Sequence, residues 1–215
     1  MPLLLHLDSS ADLTTSRSRA ITATFADTWR SLGSEHTVVY RDLHREPLPH
    51  LTDAALHFPP RLRPAGASPS AQQEALQQQL IAELVAADVL LIGVPLYNYS
   101  MPSTLKAWID YIHLPAVTAP FDDPGSQQPL AGRPAVLVST RGGVYDAGTT
   151  TEFNDHALPA LNLILANALG MTVETIVATR TLSERFGAPT DEVVRQHREL
   201  AAAHECATQA ARRLG

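Results

Sequence analysis

Cysteine is almost missing from this chain: Cys206 is the one thiol in 215 residues. No internal disulfide can form, and neither a Cys-x-x-Cys pair nor a zinc-finger spacing can be built. Position 206 reads as a half-buried small residue on a helix. Long apolar runs are absent as well. Leu3-Leu4-Leu5 is interrupted at once by His6 and Asp8, and nothing approaches the roughly 18 residues of a membrane span. The expectation is a cytoplasmic protein with no signal peptide and no membrane partner. No Lys/Arg-rich run occurs and the formal net charge is −6, which argues against a nucleic-acid partner. His44, His50 and His57 sit in an irregular stretch without an HExxH or Cys/His set, so no metal site is expected. A GxSxG elbow, a Walker A loop and a GxGxxG fingerprint are likewise missing.

What is present is an alternation of strand-like and helix-like segments, the pattern of a parallel sheet covered on both faces. Strands are expected at 2–7, 36–41, 88–94, 134–139 and 171–177. Helices are expected from Ser16 or Ser18 to Leu32, with Ala20, Ile21, Phe25 and Trp29 inward and Gly33 as the stop. Further helices are expected at 72–87 (apolar face Leu76, Leu80, Ile81, Leu84), 103–113, about 152–169 and about 190–214. Residues 42–69 and 114–133 show no period and are expected to be irregular. The pattern gives one domain over 1–215, a doubly wound α/β fold with sheet order 2-1-3-4-5.

In such a sheet, ligands bind beyond the carboxyl ends of the strands near the switch point. Three turns fit. The first, Asp8 to Ser18, offers Ser9, Ser10, Thr14, Thr15, Ser16, Ser18 and Arg17 at a helix start, where free N–H groups favour a phosphate. The same residues also serve as plain helix caps. The second, Pro95-Leu96-Tyr97-Asn98-Tyr99-Ser100-Met101-Pro102, places two aromatics and an amide where a flat ring could lie, or where tyrosines simply cover the sheet's end. The third, Ser139-Thr140-Arg141-Gly142-Gly143-Val144-Tyr145, allows backbone N–H groups to approach a ligand, or forms a tight turn and nothing more. A planar cofactor bearing a phosphate needs all three together.

These residues resemble the FMN-dependent NADH-azoreductases, also described as NADH:quinone oxidoreductases. The likeness runs through Arg41-Asp42-Leu43, Pro47-Leu48-Pro49, Gln73-Glu74-Ala75, Pro95-Leu96-Tyr97-Asn98-Tyr99, Leu105-Lys106, Asp110 and Arg141-Gly142-Gly143. It implies a flavodoxin-like homodimer with FMN near the dimer interface. By matching positions, Ser10, Ser16, Arg17 and Ser18 would hold the phosphate, with Arg17 standing where the family commonly has Gln. Leu96, Tyr97, Asn98, Tyr99, Thr140, Arg141, Gly142 and Gly143 would hold the isoalloxazine ring, and Tyr145 would stabilise its reduced form. Two stretches depart from the family. Residues 114–129 lack its Gly/Lys-rich and aromatic character, and 158–170 lacks aromatics that approach a partner's flavin.

The reaction implied is ping-pong transfer of electrons from NADH or NADPH to a quinone or azo compound. The cofactor performs the chemistry, so no catalytic side chain is assigned. A flavodoxin-type electron carrier is the competing reading, opposed by the excursions at 42–69 and 114–133. A regulatory protein without flavin is a third.

Overall fold

A computed structural model describes residues 1–121 and 128–215. The part of the expected irregular stretch 114–133 that falls at 122–127 lies outside the described residues. Five parallel strands, β1 (Leu3–Asp8), β2 (Thr37–Asp42), β3 (Val89–Pro95), β4 (Pro134–Thr140) and β5 (Thr172–Ala178), form one sheet in the order β2-β1-β3-β4-β5. That is the doubly wound order expected from the sequence. Helices α1 (Arg17–Ser31), α2 (Ala71–Ala86), α3 (Ser103–Ile112), α4 (Ala157–Asn162) and α5 (Thr190–Leu214) connect and flank the strands.

Successive strand residues point to opposite faces, so two cores form. On one face Leu4, Leu91, Val136, Val138 and Ile176 pack under Ile21, Phe25 and Trp29 of α1 and the alanines 203, 207, 210 and 211 of α5. Those small side chains let α1 and α5 approach closely. On the other face Leu5, Leu7, Ile92, Val94 and Leu137 meet Leu80 and Leu84 of α2, Trp108 and Ile112 of α3, and Leu161 of α4. All seven residues of β3 are buried, as expected of a central strand.

Several expectations are corrected. Each strand ends one residue later than expected, because Asp8, Asp42 and Thr140 continue the ladder. Ala20 is exposed and Thr22 takes the inward position instead. Helix α1 ends at Ser31 and is capped by Leu32, whose N–H reaches the Trp29 carbonyl, and Gly33 does not adopt a left-handed conformation. The single helix expected at 152–169 is three pieces: a 3₁₀ turn Glu152–Asn154, α4, and a π-turn stretch Leu163–Ala168. Cys206 is exposed rather than half-buried.

Candidate functional site

The three expected turns lie at one end of the sheet and touch one another. After β1, Ser10 is buried, and its hydroxyl lies 3.1 Å from the Tyr97 hydroxyl of the second turn. The Ala11 N–H donates to the same Tyr97 oxygen at 3.0 Å. Asp12 folds the turn by accepting from the Thr15 hydroxyl and from the backbone N–H groups of Thr15 and Thr14. Those bonds hold its carboxyl well below the usual carboxylate range. Ser16 then caps α1, accepting the Arg19 N–H at 3.3 Å. The cap leaves room for a ligand role, since the N–H groups of Arg17 and Ser18 have no earlier carbonyl to meet.

A buried charge cluster braces this turn from below. Arg19 of α1 makes a forked contact to Asp42 at 2.7 and 2.8 Å, and donates from Nε and Nη2 to the Ser10 carbonyl at 3.2 and 2.7 Å. Asp8 sits beside it, accepting from Thr22 at 2.9 Å and Tyr40 at 3.1 Å, with His6 Nε2 at 3.4 Å. Burial opposes ionisation of Asp42. The Arg19 hydrogen bonds and the N–H groups of Arg45 and His44 overcome it and hold the carboxyl at about 2. Burial likewise raises the Tyr40 hydroxyl well above its usual value, with Asp8 and Asp42 adding to the effect.

The second turn is a two-residue reversal closed by Tyr97 N–H to the Ser100 carbonyl (2.9 Å) and Ser100 N–H to the Tyr97 carbonyl (3.0 Å). Its corners, Asn98 and Tyr99, both take positive φ, 48° and 69°. In the third turn the N–H of Arg141 donates to the Ala178 carbonyl, and its side chain pairs with Asp155 at 2.5 Å and lies 5.6 Å from the Tyr145 ring centre. Burial raises the Tyr145 hydroxyl's pKa. Tyr99 and Asp155 reinforce that shift and Arg141 opposes it, so the group stays a protonated donor.

A cavity of about 780 Å³ opens between these turns. Nine of the thirteen residues expected at a ligand site line it: Ser10, Ser16, Arg17, Leu96, Tyr97, Thr140, Gly142, Gly143 and Tyr145. The other four do not. Ser18 is fully buried behind Ser16, with the two hydroxyls 3.1 Å apart. Arg141 is turned to Asp155, and Asn98 and Tyr99 occupy the exposed corners of their turn.

The sequence reading missed the opposite wall, made by Thr181, Leu182, Ser183, Glu184, Arg185, Phe186 and Gln196. Its signal was available, because this segment leaves the carboxyl end of β5, the same end as the other turns. The wall is fitted against the third turn: a Cβ on Gly142 would stand 2.6 Å from Leu182 Cδ1. Thr181 and Leu182 donate their N–H groups to the carbonyls of Arg141 and Gly142.

Fold and cavity together define a flavodoxin-like α/β protein with a cavity at the sheet's switch point. A model of the flavodoxin-like fold family matches residues 3–204. Over its whole length the chain is 55% identical to 98% of an FMN-dependent NADH:quinone oxidoreductase of Kineococcus radiotolerans. It is 38% identical to 97% of a protein of the same name from Streptomyces avermitilis. Among solved structures, azoreductase from Bacillus anthracis str. Sterne superposes with a TM-score of 0.78 at 20% identity, covering 98% of this chain and 99% of that one. The chain belongs to the flavodoxin-like family that contains the FMN-dependent NADH:quinone oxidoreductases.

Proposed function

We propose that this protein is an FMN-dependent oxidoreductase that takes electrons from NADH and delivers them to a quinone or azo compound. The carrying observation is the cavity itself. One end presents a helix N-terminus with Ser10, Ser16 and Arg17, the donor set a phosphate needs. The other presents Leu96, Tyr97, Gly142, Gly143 and Tyr145, apolar surface with backbone and hydroxyl donors, which suits a flat ring. The volume falls within the range of cofactor pockets, about 300–1,000 Å³.

When bound, FMN would supply the hydride chemistry between donor and acceptor. The chain's own groups bind and orient. Arg17 neutralises phosphate charge. Ser18 supports Ser16 from behind, and Arg141 supports Tyr145. Asn98 and Tyr99, at the exposed corners of their turn, would border the ring site. Thr140 sets the start of the third turn, and Tyr145, which keeps its proton, would offer a donor to the ring site. The same reading takes residues 1–215 as one domain acting in the cytoplasm, where nicotinamide nucleotides are found, with NADPH as an alternative donor.

The protein acts as a homodimer in this reading. Support comes from Tyr99, Phe153 and Leu163, which are exposed at 56%, 81% and 61%. The first two stand on adjoining turns joined by the His156 N–H to the Tyr99 carbonyl. The deciding experiment is an absorption spectrum of the purified protein before and after anaerobic NADH. Flavin bands that bleach with NADH and return with a quinone are expected; bands that NADH leaves unchanged would favour the electron carrier.

A further inference from the structure

The segment Thr181–Phe186 has a rigid base and an unpaired tip, and the two ends differ in chemistry. Arg180 at the base takes φ +61° while only 2% exposed, a conformation that persists only when its surroundings fix it. They do: its guanidinium pairs with Asp146 at 2.7 Å, Glu192 at 2.5 Å and Glu199 at 3.2 Å. Its N–H donates to the Gly143 carbonyl at 3.0 Å, tying the wall to the third turn. Beyond the base the chain closes on itself. Ser183 N–H reaches the Arg180 carbonyl, Phe186 N–H the Leu182 carbonyl and Ala188 N–H the Ser183 carbonyl. Gln196 of α5 accepts the Glu184 N–H at 3.1 Å.

The tip presents Arg185 and Phe186 to the cavity, with Phe186 75% exposed. Charge bookkeeping around the cavity then favours an anion. Of the two lining carboxylates, Asp12 is taken up by Thr14 and Thr15, and Glu184 faces His197 at 3.4 Å. The two lining arginines, Arg17 and Arg185, have no carboxylate within ion-pair distance among the described residues. A chain of net charge −6 thus holds two uncommitted cations on opposite walls of one cavity. Arg17 stands at the helix N-terminus, where a phosphate is already provided for. Arg185 has no such neighbour.

We infer that Arg185 and Phe186 form the recognition element for the visiting ligand, the ring of Phe186 packing on a planar molecule and Arg185 pairing with an anionic group that it carries. This rests on the proposed oxidoreductase reading and adds to it the charge of the substrate class. The anion could belong to the acceptor, as a sulfonate or carboxylate, or to the pyrophosphate of the dinucleotide donor.

The test uses the FMN-loaded protein, R185Q, R185E and F186A. One pair of acceptors is a naphthoquinone with and without a sulfonate; one pair of donors is NADH and a phosphate-free N-alkyl dihydronicotinamide. Direct binding of naphthalenesulfonate by calorimetry supplies a readout independent of turnover. For an exposed ion pair, R185Q should weaken the charged member of one pair, and naphthalenesulfonate, about fivefold, and R185E about twentyfold. The neutral members and FMN affinity should stay unchanged. The pair that responds names the source of the anion. F186A should weaken charged and neutral ligands alike. Equal losses for charged and neutral ligands in R185E, or a loss confined to FMN affinity, would overturn the inference. Failure of the underlying reading looks different: the wild-type protein would not be bleached by NADH at all.

Discussion

Arg19 touches no expected ligand group, yet it fixes the residue that does. Its fork spans Asp42 and the Ser10 carbonyl, so the first turn is held to the end of β2 through one side chain. Replacing it with Ala leaves Asp8, 3% exposed, without its arginine, and Asp42, 7% exposed, with only the outlying Arg45 at 3.5 Å. Breaking a buried pair from one side costs about 3 kcal/mol, so R19A should melt markedly lower. R19K keeps the charge but loses the fork, and should retain much of that stability while weakening FMN more than riboflavin, because only FMN carries a phosphate. Equal weakening of both flavins in R19K would show that the turn is not positioned by Arg19. The same cluster sets an acid response. Asp42 is held at about 2, below its ordinary 3.8, so its contribution is complete above pH 4 and fades as pH falls toward 2. D42N should therefore flatten the acid branch of a melting-temperature profile between pH 4 and 2. A variant profile parallel to the wild type's would assign that branch to other carboxylates, with Asp8, also shifted downward despite its burial, the first to examine.

Elements were legible where one periodic signal dominated, and obscure where a distant partner decided. Strand β3 reads directly from its apolar run because both its faces are covered. Strand ends do not, since an Asp at position 8 suggests a turn until Thr22 and Tyr40 are seen to satisfy its carboxylate. The three turns were found from their position after strands and their composition, and nine of the thirteen residues assigned there do line one cavity. Ser18 escaped because the rotation of α1 turns it inward with Thr22. Arg141 escaped because Asp155 lies fourteen positions away with no local pattern linking them. The π-turn stretch Leu163–Ala168 has no periodicity that distinguishes it from ordinary helix. The second turn carries a testable consequence of its geometry. A two-residue reversal with both corners at positive φ favours Asn-Gly, and a Tyr in the left-handed region costs about 1 kcal/mol. Y99G should thus stabilise the isolated fold by about that amount. If Tyr99 also closes the ring site, the same variant should hold FMN less well. A variant that melts higher with unchanged FMN affinity would remove Tyr99 from the site.

For the molecule as a whole, the sheet divides its tasks between faces and ends. Helices α1 and α5 close one face through small residues, α2, α3 and α4 close the other, and the cavity opens at the carboxyl end. Phe121, Phe153, Leu163 and Tyr99 each leave more than half of their surface to solvent. Single exposed residues need no explanation, but aromatic side chains are over-represented at protein–protein interfaces. A self-complementary interface buries about 800 Å² per partner, so two charges introduced there should outweigh its gain. The double variant F153D/L163D is expected to sediment at 23.2 kDa, while the wild-type chain sediments at twice that mass at micromolar concentration. The flavin provides the functional half of the argument. If a partner seals the ring end of the cavity, FMN will dissociate on dilution through the dimer range, and the double variant will lose it at every concentration. A wild-type monomer that retains FMN at nanomolar dilution would separate the cavity from any partner, leaving the three turns to hold the cofactor within one chain.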